Sequence, residues 1–104
     1  MILRINDKQI KIQKAITFKQ KLFGFMGKTN FNYGILFRCN GIHTFFMKEK
    51  IDVILTDKNY KVIFLYKNFS KNKIILPKKG VYYTIELPIN TINDLLIGDV
   101  LNIK

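Results

Sequence analysis

The stretch that decides the fold is residues 39–68, C-N-G-I-H-T-F-F-M-K-E-K-I-D-V-I-L-T-D-K-N-Y-K-V-I-F-L-Y-K-N. Short runs of apolar and β-branched residues alternate in it with Asn, Gly, Asp and Lys, which is the pattern of strands separated by turns. It predicts three consecutive strands, at 44–48, 51–56 and 60–67. The dipeptide Asn40-Gly41 in front of them is a strong hairpin signal.

Strand patterns continue on both sides of this stretch. A first hairpin is predicted from 1–5 and 9–14, with its turn at Asn6-Asp7-Lys8, because Asn and Asp tolerate left-handed backbone conformations. Further strands are predicted at 34–39, 73–76, 81–87 and 99–103. Short strands in this number favour a sheet that curls or closes, since closure removes exposed edges.

Two segments carry helix signals. Thr17 begins a capping box ahead of an apolar stripe, which predicts a helix at 17–26. Thr91 and Gly98 have the positions of a cap and a stop for a shorter helix at 91–97, and Ile92, Leu95 and Leu96 would form its apolar stripe. The sequence therefore predicts a mainly β (α+β) single domain over 1–104, in which a small, strongly curved antiparallel sheet closes to a barrel-like shape with these two helices.

The charge of the chain is strongly positive. It has 18 Lys and Arg against 7 Asp and Glu, a formal net charge of +11. A nucleic acid or another acidic partner would suit this charge. The alternative is that the charge is compositional, because the Lys residues are scattered and do not form a block. The chain carries no signal-peptide pattern or membrane-span pattern and has a single Cys, so we expect a cytoplasmic protein without a membrane span.

Cys39 and His43 lie four residues apart across a predicted turn, and Asp52 follows in the next strand. A nucleophile, a base and an orienting carboxylate are the parts of a covalent hydrolase site. The alternative interpretation is a small buried Cys and a structural His. One His and one Cys are too few for a tight metal site, and no glycine-rich phosphate loop occurs, so the sequence predicts no metal and no cofactor.

Four of the seven acidic residues are candidates for a paired-carboxylate site, and they divide into two groups. Asp57 and Asp99 stand at predicted turns, where Asp accepts hydrogen bonds from its own backbone. Asp52 and Glu86 lie in apolar strands, where a carboxylate is costly unless it has partners. We expect at least one of these two to meet Lys48 or Arg38, or to accept backbone N–H groups.

The order of these segments resembles a family of bacterial and archaeal proteins, domain of unknown function 192. The motifs that carry the resemblance are L-F-G-F-M at 22–26, G-I-L-F at 34–37, G-I-H-T-F-F-M-K at 41–48, I-D-V at 51–53 with Asp57, I-E-L-P at 85–88 and I-G-D at 97–99. The resemblance implies a small barrel-like β fold with a helix packed at one end, and it implies no agreed activity.

This chain departs from the family pattern at three places. Lys50 replaces a usual Pro, the aromatic pair contains no Trp, and Tyr60 stands where the turn after Asp57 normally has Gly. We expect Asn59 to adopt the positive φ that this turn requires.

The function predicted from the sequence is a non-enzymatic module that binds a ligand or protein partner through the rim around 42–48. The predicted binding residues are Arg38, His43, Thr44, Phe46, Lys48, Asp52 and Glu86. One alternative is a sequence-tolerant nucleic-acid binder, since aromatic residues interleave with Lys along the chain. The other alternative is the hydrolase-like activity of Cys39, His43 and Asp52.

Overall fold

The computed structural model describes residues 1–16, 29–43 and 47–104, with His43 described by its backbone alone. The helix predicted at 17–26 lies outside the described residues, as do positions 44–46 of the strand predicted at 44–48. Within the described ranges the chain is mainly β and contains no helix. In particular, those ranges hold no helix with the length and apolarity that crossing a membrane requires.

The described residues form nine strands. Their bounds are β1 Ile2–Ile5, β2 Lys8–Lys14, β3 Gly34–Phe37, β4 Ile42–His43, β5 Ile51–Thr56, β6 Val62–Phe69, β7 Ile74–Ile75, β8 Tyr83–Leu87 and β9 Asn102–Ile103. The predicted first hairpin is confirmed, with Asn6 in the left-handed region at φ 53°. The strand predicted at 51–56 is confirmed as β5, and the one predicted at 60–67 begins and ends two residues later, as β6.

Seven of these strands make one sheet in the order β6-β5-β8-β3-β2-β1-β9, and β4 pairs with β7 separately. Every neighbouring pair of the large sheet is antiparallel except β2 and β3, which are parallel. The predicted antiparallel sheet therefore contains one parallel pair, which the sequence pattern did not predict. A parallel pair needs a crossover, and the long connection between β2 and β3 supplies one.

The sheet curls until its two ends touch. Lys61, just before β6, forms an isolated bridge with Val100, just before β9. At the same place Val62 accepts a hydrogen bond from the N–H of Gly98 and donates one to the carbonyl of Asp99, each at 2.8 Å. On the other side of β9, its pairing with β1 continues to Ile2 and Lys104, which exchange backbone hydrogen bonds of 2.7 and 3.0 Å. The result is a half-barrel.

The concave side of the half-barrel holds one hydrophobic cluster, here called the interior cluster. Its members come from strands across the whole sheet and from the 92–101 segment: Leu3, Ile5, Ile10, Ile12, Leu36, Ile54, Val62, Ile85, Leu87, Ile92, Leu95 and Leu101. Since each strand alternates its side chains between two faces, this cluster accounts for every second residue of the central strands.

The convex side of β3, β5 and β8 carries a second hydrophobic cluster, the outer cluster. Its buried members are Ala15, Ile35, Phe37, Met47, Ile51, Val53, Leu55, Ile75 and Val81. β7 and the segment around Met47 cover this face, which explains why all six residues of β5 are buried. A strand buried on both faces reads as a continuous apolar run, as β5 does.

The short helix predicted at 91–97 is wrong. The backbone there makes turns with i to i+3 hydrogen bonds, from Leu95 to Ile92 and from Asp99 to Leu96. Leu96, predicted to lie in the apolar stripe, is 69% exposed. The physical reason is that other acceptors take N–H groups that a helix would bond to its own carbonyls, since the Leu96 N–H donates to the Asp99 carboxylate and the Gly98 N–H donates to the carbonyl of Val62.

Candidate functional site at the tyrosine end of the half-barrel

A cavity of about 360 Å³ opens where β2 ends, β3 ends and β8 begins. We call it the tyrosine cavity. It is lined by Lys14, Ala15, Ile16, Leu36, Arg38, Tyr82 and Tyr83. Leu36 belongs to the interior cluster and forms an apolar floor, so the cavity lies at one mouth of the half-barrel.

Backbone hydrogen bonds fix the two walls of the tyrosine cavity. The N–H of Ala15 donates to the carbonyl of Leu36 at 2.9 Å, which continues the parallel pairing of β2 and β3 past the end of β2. On the opposite wall, the N–H of Tyr82 donates to the carbonyl of Thr56 at 2.8 Å. Both walls therefore extend paired strands, and rigid elements hold binding groups more accurately than free loops do.

Three tyrosine rings and one guanidinium form a continuous row, in which Tyr82, Tyr83 and Arg38 line the cavity and the third ring lies outside its lining. The Tyr60 ring stacks on Tyr83 with centroids 4.8 Å apart, and Tyr82 meets Tyr83 edge-on at 4.7 Å. The Arg38 guanidinium lies over the Tyr82 ring, 4.8 Å from its centroid. Such a cation–π contact is worth about 0.5–1 kcal/mol at an exposed site, and it orients the Arg38 side chain.

Tyr60 enters this row from a strained backbone. Its φ is +62°, which is uncommon for a bulky side chain, so the expectation that Asn59 would adopt the positive φ is wrong. The turn begins at Asp57, whose carbonyl accepts the Tyr60 N–H at 3.2 Å, and this bond puts the fourth residue, Tyr60, in the left-handed position. Burial, together with a hydrogen bond to Tyr83, raises the pKa of the Tyr60 phenol.

The charged side chains that line the cavity are positive. Lys14 and Arg38 both line it, and none of the described residues that line it is acidic. Within residues 1–16, 29–43 and 47–104, no carboxylate or carbonyl accepts a hydrogen bond from either cation. The described cavity therefore offers two cationic donor groups beside an aromatic wall.

Of the seven predicted binding residues, Arg38 lies in the tyrosine cavity. Lys48 is exposed on the surface before β5, away from it. Thr44 and Phe46, together with the side chain of His43, are outside the described residues, and the His43 backbone pairs with Ile74.

Asp52 is 1% exposed and accepts backbone N–H groups. Its Oδ1 accepts from the N–H of Asn68 at 2.9 Å, and its Oδ2 accepts from the N–H of Thr91 at 3.1 Å and of Ile92 at 3.4 Å. This confirms the expectation that one of the strand carboxylates binds backbone N–H groups. Asp52 therefore joins the end of β6 to the segment after β8.

Glu86, 5% exposed, lies on the other side of the sheet from Asp52. In the β5–β8 register Asp52 is opposite Leu87, a member of the interior cluster, whereas Glu86 is opposite Val53, a member of the outer cluster. Because the two carboxylates point to opposite faces, they do not converge on one cleft.

Cys39 packs against the outer cluster, and its thiol donates to the carbonyl of Gly41 at 3.5 Å. Burial raises the pKa of the Cys39 thiol, the charge of Glu86 adds to the rise, and a hydrogen bond with Thr84 opposes it. A raised pKa keeps the thiol protonated at neutral pH, and the thiolate is the nucleophile. Asp52 faces the interior, so these described residues do not assemble the predicted hydrolase site.

The other two acids have the predicted turn roles. Asp57 Oδ1 accepts from the N–H groups of Asn59 at 2.8 Å and Lys61 at 3.0 Å, and Asp99 accepts from the N–H of Leu96 at 2.9 Å. In the described part of the chain, no group of three or more His, Cys, Asp or Glu side chains could hold a metal ion.

Sequence reasoning missed Lys14 and the cavity itself. The available signal was the pair Tyr82-Tyr83 immediately before a strand, since two adjacent tyrosines at a strand start direct one ring toward each side of the chain end. Nothing local connects that pair to the end of β2, which is distant in sequence.

The family model for DUF192, described as Uncharacterized ACR, matches residues 1–103. The chain belongs to the DUF192 family. Relatives called UPF0127 proteins include one from Thermococcus kodakarensis, 35% identical over 101 residues, and one from Thermococcus sibiricus, 37% identical over 98. The match covers 88% and 86% of this DUF192 chain but only 64% and 63% of these relatives, so the chain spans less than two thirds of their length.

Two crystal structures share the DUF192 fold seen here. One, from Sinorhizobium meliloti, is of a protein described as a candidate transcription regulator; it has a TM-score of 0.83 at 17% identity, covering 97% of this chain and 89% of that one. The other, of a protein of unknown function from Novosphingobium aromaticivorans, has a TM-score of 0.81 at 12% identity, covering 98% and 82%. At these identities the likeness establishes the fold alone.

Proposed function

We propose that this DUF192 domain is a non-enzymatic binding module and that its ligand is a small organic molecule held in the tyrosine cavity. The observation that carries the proposal is the row formed by Tyr60, Tyr83, Tyr82 and Arg38 over an apolar floor. Aromatic and apolar walls with a few convergent polar groups are the usual composition of small-molecule sites.

Size and position support the same proposal. A cavity of about 360 Å³ is at the lower end of the range for small-molecule sites, roughly 300–1,000 Å³. Such sites often occupy the mouths of barrel-like folds. The binding rim predicted at 42–48 lies partly outside the described residues, so Arg38 is the predicted residue on which this proposal depends.

The proposal is tested with N-phenyl-1-naphthylamine, a neutral fluorescent probe of apolar sites. We expect its emission to rise on titration with the protein and its affinity to fall at least fivefold in Tyr82→Ala. The matched control is Tyr66→Ala, because Tyr66 is a partly buried tyrosine that lines an open groove on β6 instead of the cavity.

Equal probe affinity in the two variants would overturn the proposal, and so would the absence of probe binding by the parent protein. Circular dichroism on each variant shows that the fold is retained. If Tyr82→Ala does not fold, Arg38→Ala provides the second test, since Arg38 is exposed and contributes no core packing.

Sequence-tolerant nucleic-acid binding is a second candidate, favoured by the formal charge of +11 and by an exposed cation over an aromatic ring at Arg38 and Tyr82. Phosphate-driven binding weakens steeply with salt. Fluorescence polarisation of a labelled oligothymidylate should therefore show binding at low salt that is lost at moderate salt. The absence of binding at low salt would eliminate this candidate.

The lone Cys also supports the cytoplasm as the proposed location.

A further inference from the structure

We infer that the ligand of the tyrosine cavity is a flat ring that carries one anionic group, a carboxylate or a phosphate. The inference rests on the proposed function and deepens it, because it names the chemistry that the cavity would select. Three features of the described residues carry it: the charge of the lining, the orientation of Arg38, and the shape of the aromatic wall.

The lining selects a negative charge. Lys14 and Arg38 contribute two positive groups to the cavity, its lining has no acidic side chain, and neither cation has a hydrogen-bond acceptor in the described part of the chain. An anion placed between them gains charge-assisted hydrogen bonds, which are about twice as strong as neutral ones. A cationic ligand would meet repulsion from both groups.

The contact of Arg38 with Tyr82 prepares it for such an anion. With the Tyr82 ring beneath the guanidinium, the N–H groups at the edge of the guanidinium remain for a ligand. A guanidinium presents these donors as a planar fork that matches the two oxygens of a carboxylate or phosphate. Because the ring contact limits the motion of the side chain, less conformational entropy is lost when the anion binds.

The remainder of the cavity selects a flat apolar body. Tyr82 and Tyr83 meet edge-on and form a corner, and Ala15 and Leu36 contribute apolar surface below it. Aromatic rings pair favourably in offset-stacked or edge-to-face arrangements, and each pair is worth about 0.5–1.5 kcal/mol beyond the buried area. An aromatic ligand therefore gains this pairing energy from the corner, whereas a saturated chain of the same size does not.

The test compares three naphthalenes that differ in one substituent: 2-naphthoate, 2-naphthyl phosphate and the neutral 2-naphthamide. Isothermal titration calorimetry at low salt should show at least one of the two anions binding tenfold or more tightly than the amide. The tighter of the two anions identifies the natural anionic group as carboxylate or phosphate.

Arg38→Gln should reduce the preference for the anion over 2-naphthamide to less than threefold. The matched control is Lys50→Gln, which removes the same charge from an exposed site at the opposite end of β5. The control should keep the tenfold preference. A preference lost equally in both variants would show that the net charge of the protein, and not this cavity, attracts the anion, and would overturn the inference.

Failure of the inference is distinguishable from failure of the proposed function. If the amide binds as tightly as the anions, or if none of the three 2-substituted naphthalenes binds while N-phenyl-1-naphthylamine still does, the ligand class is wrong and the cavity remains a binding site. If the neutral probe does not bind either, both proposals are wrong.

Discussion

The two ends of β5 each carry an aspartate with the same task and a different environment. Asp52, near the start of β5, is buried and accepts N–H groups from Asn68 and Thr91, which lie in two other parts of the chain. Asp57, just after its end, is partly exposed and accepts from Asn59 and Lys61 of its own turn. One carboxylate joins distant segments, and the other shapes a single loop.

The Asp52 end of β5 therefore contributes mainly to stability, whereas the Asp57 end shapes the proposed binding site. The Asp52 end joins the end of β6 to the segment after β8 and lies outside the lining of the tyrosine cavity. The Asp57 end sets the turn that forces Tyr60 into the left-handed region and brings its ring onto Tyr83. Strained residues persist where the surrounding structure holds them, and they cluster at functional sites. The turn end of β5 is therefore the end at which we expect substitutions to change binding.

The largest effect is expected from Asp52→Ala. Removal of the carboxylate leaves the N–H groups of Asn68 and Thr91 without their acceptor, and each buried unsatisfied group costs about 1–3 kcal/mol. We expect the free energy of unfolding, measured by urea titration, to fall by about 3 kcal/mol. Asp94→Ala is the matched control, because Asp94 is exposed, and a surface substitution should change stability by less than about 0.5 kcal/mol. A loss below about 1 kcal/mol in Asp52→Ala would contradict this account of the buried end.

A smaller loss is expected from Asp57→Ala. The N–H groups of Asn59 and Lys61 are exposed and can donate to water after the carboxylate is removed. The substitution therefore removes two modest hydrogen bonds and should lower the free energy of unfolding by about 1 kcal/mol. Unlike Asp52→Ala, it should also weaken the binding of N-phenyl-1-naphthylamine, because the turn positions Tyr60. A stability loss as large as that of Asp52→Ala would remove the distinction between the two ends.

Tyr60→Gly and Tyr60→Ala form a matched pair that isolates the backbone strain. Both remove the ring, but only Gly adopts φ +62° without steric cost. We expect Tyr60→Gly to be the more stable by about 1 kcal/mol in urea titration, the reverse of the usual order in a strand. The control position is Tyr66, a strand residue whose φ is not positive. There the Ala variant should be more stable than the Gly variant. Equal stability of the two Tyr60 variants would mean that the turn relaxes.

The smallest effect concerns alkaline pH. Burial and the hydrogen bond to Tyr83 raise the pKa of Tyr60, so the folded state favours the neutral phenol. The stability that this preference contributes is fully present below the ordinary tyrosine pKa of about 10 and is lost as the pH rises through the raised value. Tyr60→Phe should therefore lose less stability than the parent protein between pH 8 and pH 11. Parallel pH profiles of the two proteins would contradict this cause of the shift.

The sequence predicted the elements whose signals are local. β5 was predicted with its observed bounds because its residues are buried on both faces and form a continuous apolar run. The roles of Asp57 and Asp99 were predictable since each acts on N–H groups within four residues. The cost of a carboxylate in an apolar strand predicts that Asp52 has hydrogen-bond partners. It does not predict which residues provide them.

The errors arise where the local pattern does not show which group accepts a backbone hydrogen bond. The 91–97 segment has a cap and an apolar stripe, yet the Leu96 N–H donates to the Asp99 carboxylate and the Gly98 N–H donates to the distant Val62. Asn59 is the better residue for positive φ, but the turn hydrogen bond to Asp57 places Tyr60 there instead. The tyrosine cavity combines three strand ends, so no single window of sequence contains it.

The pairing of Ile2 with Lys104, at the end of the β1–β9 pair, affects the folding rate. These residues are separated by almost the whole chain, and their pairing is made only after the intervening loop has closed. Sheets dominated by such long-range pairs fold slowly, in milliseconds to seconds, whereas local hairpins form in about microseconds. The β1–β2 hairpin can therefore form early, while the outer edge of β1 is still unpaired. Docking of β9 onto β1 is expected among the last events on the folding pathway.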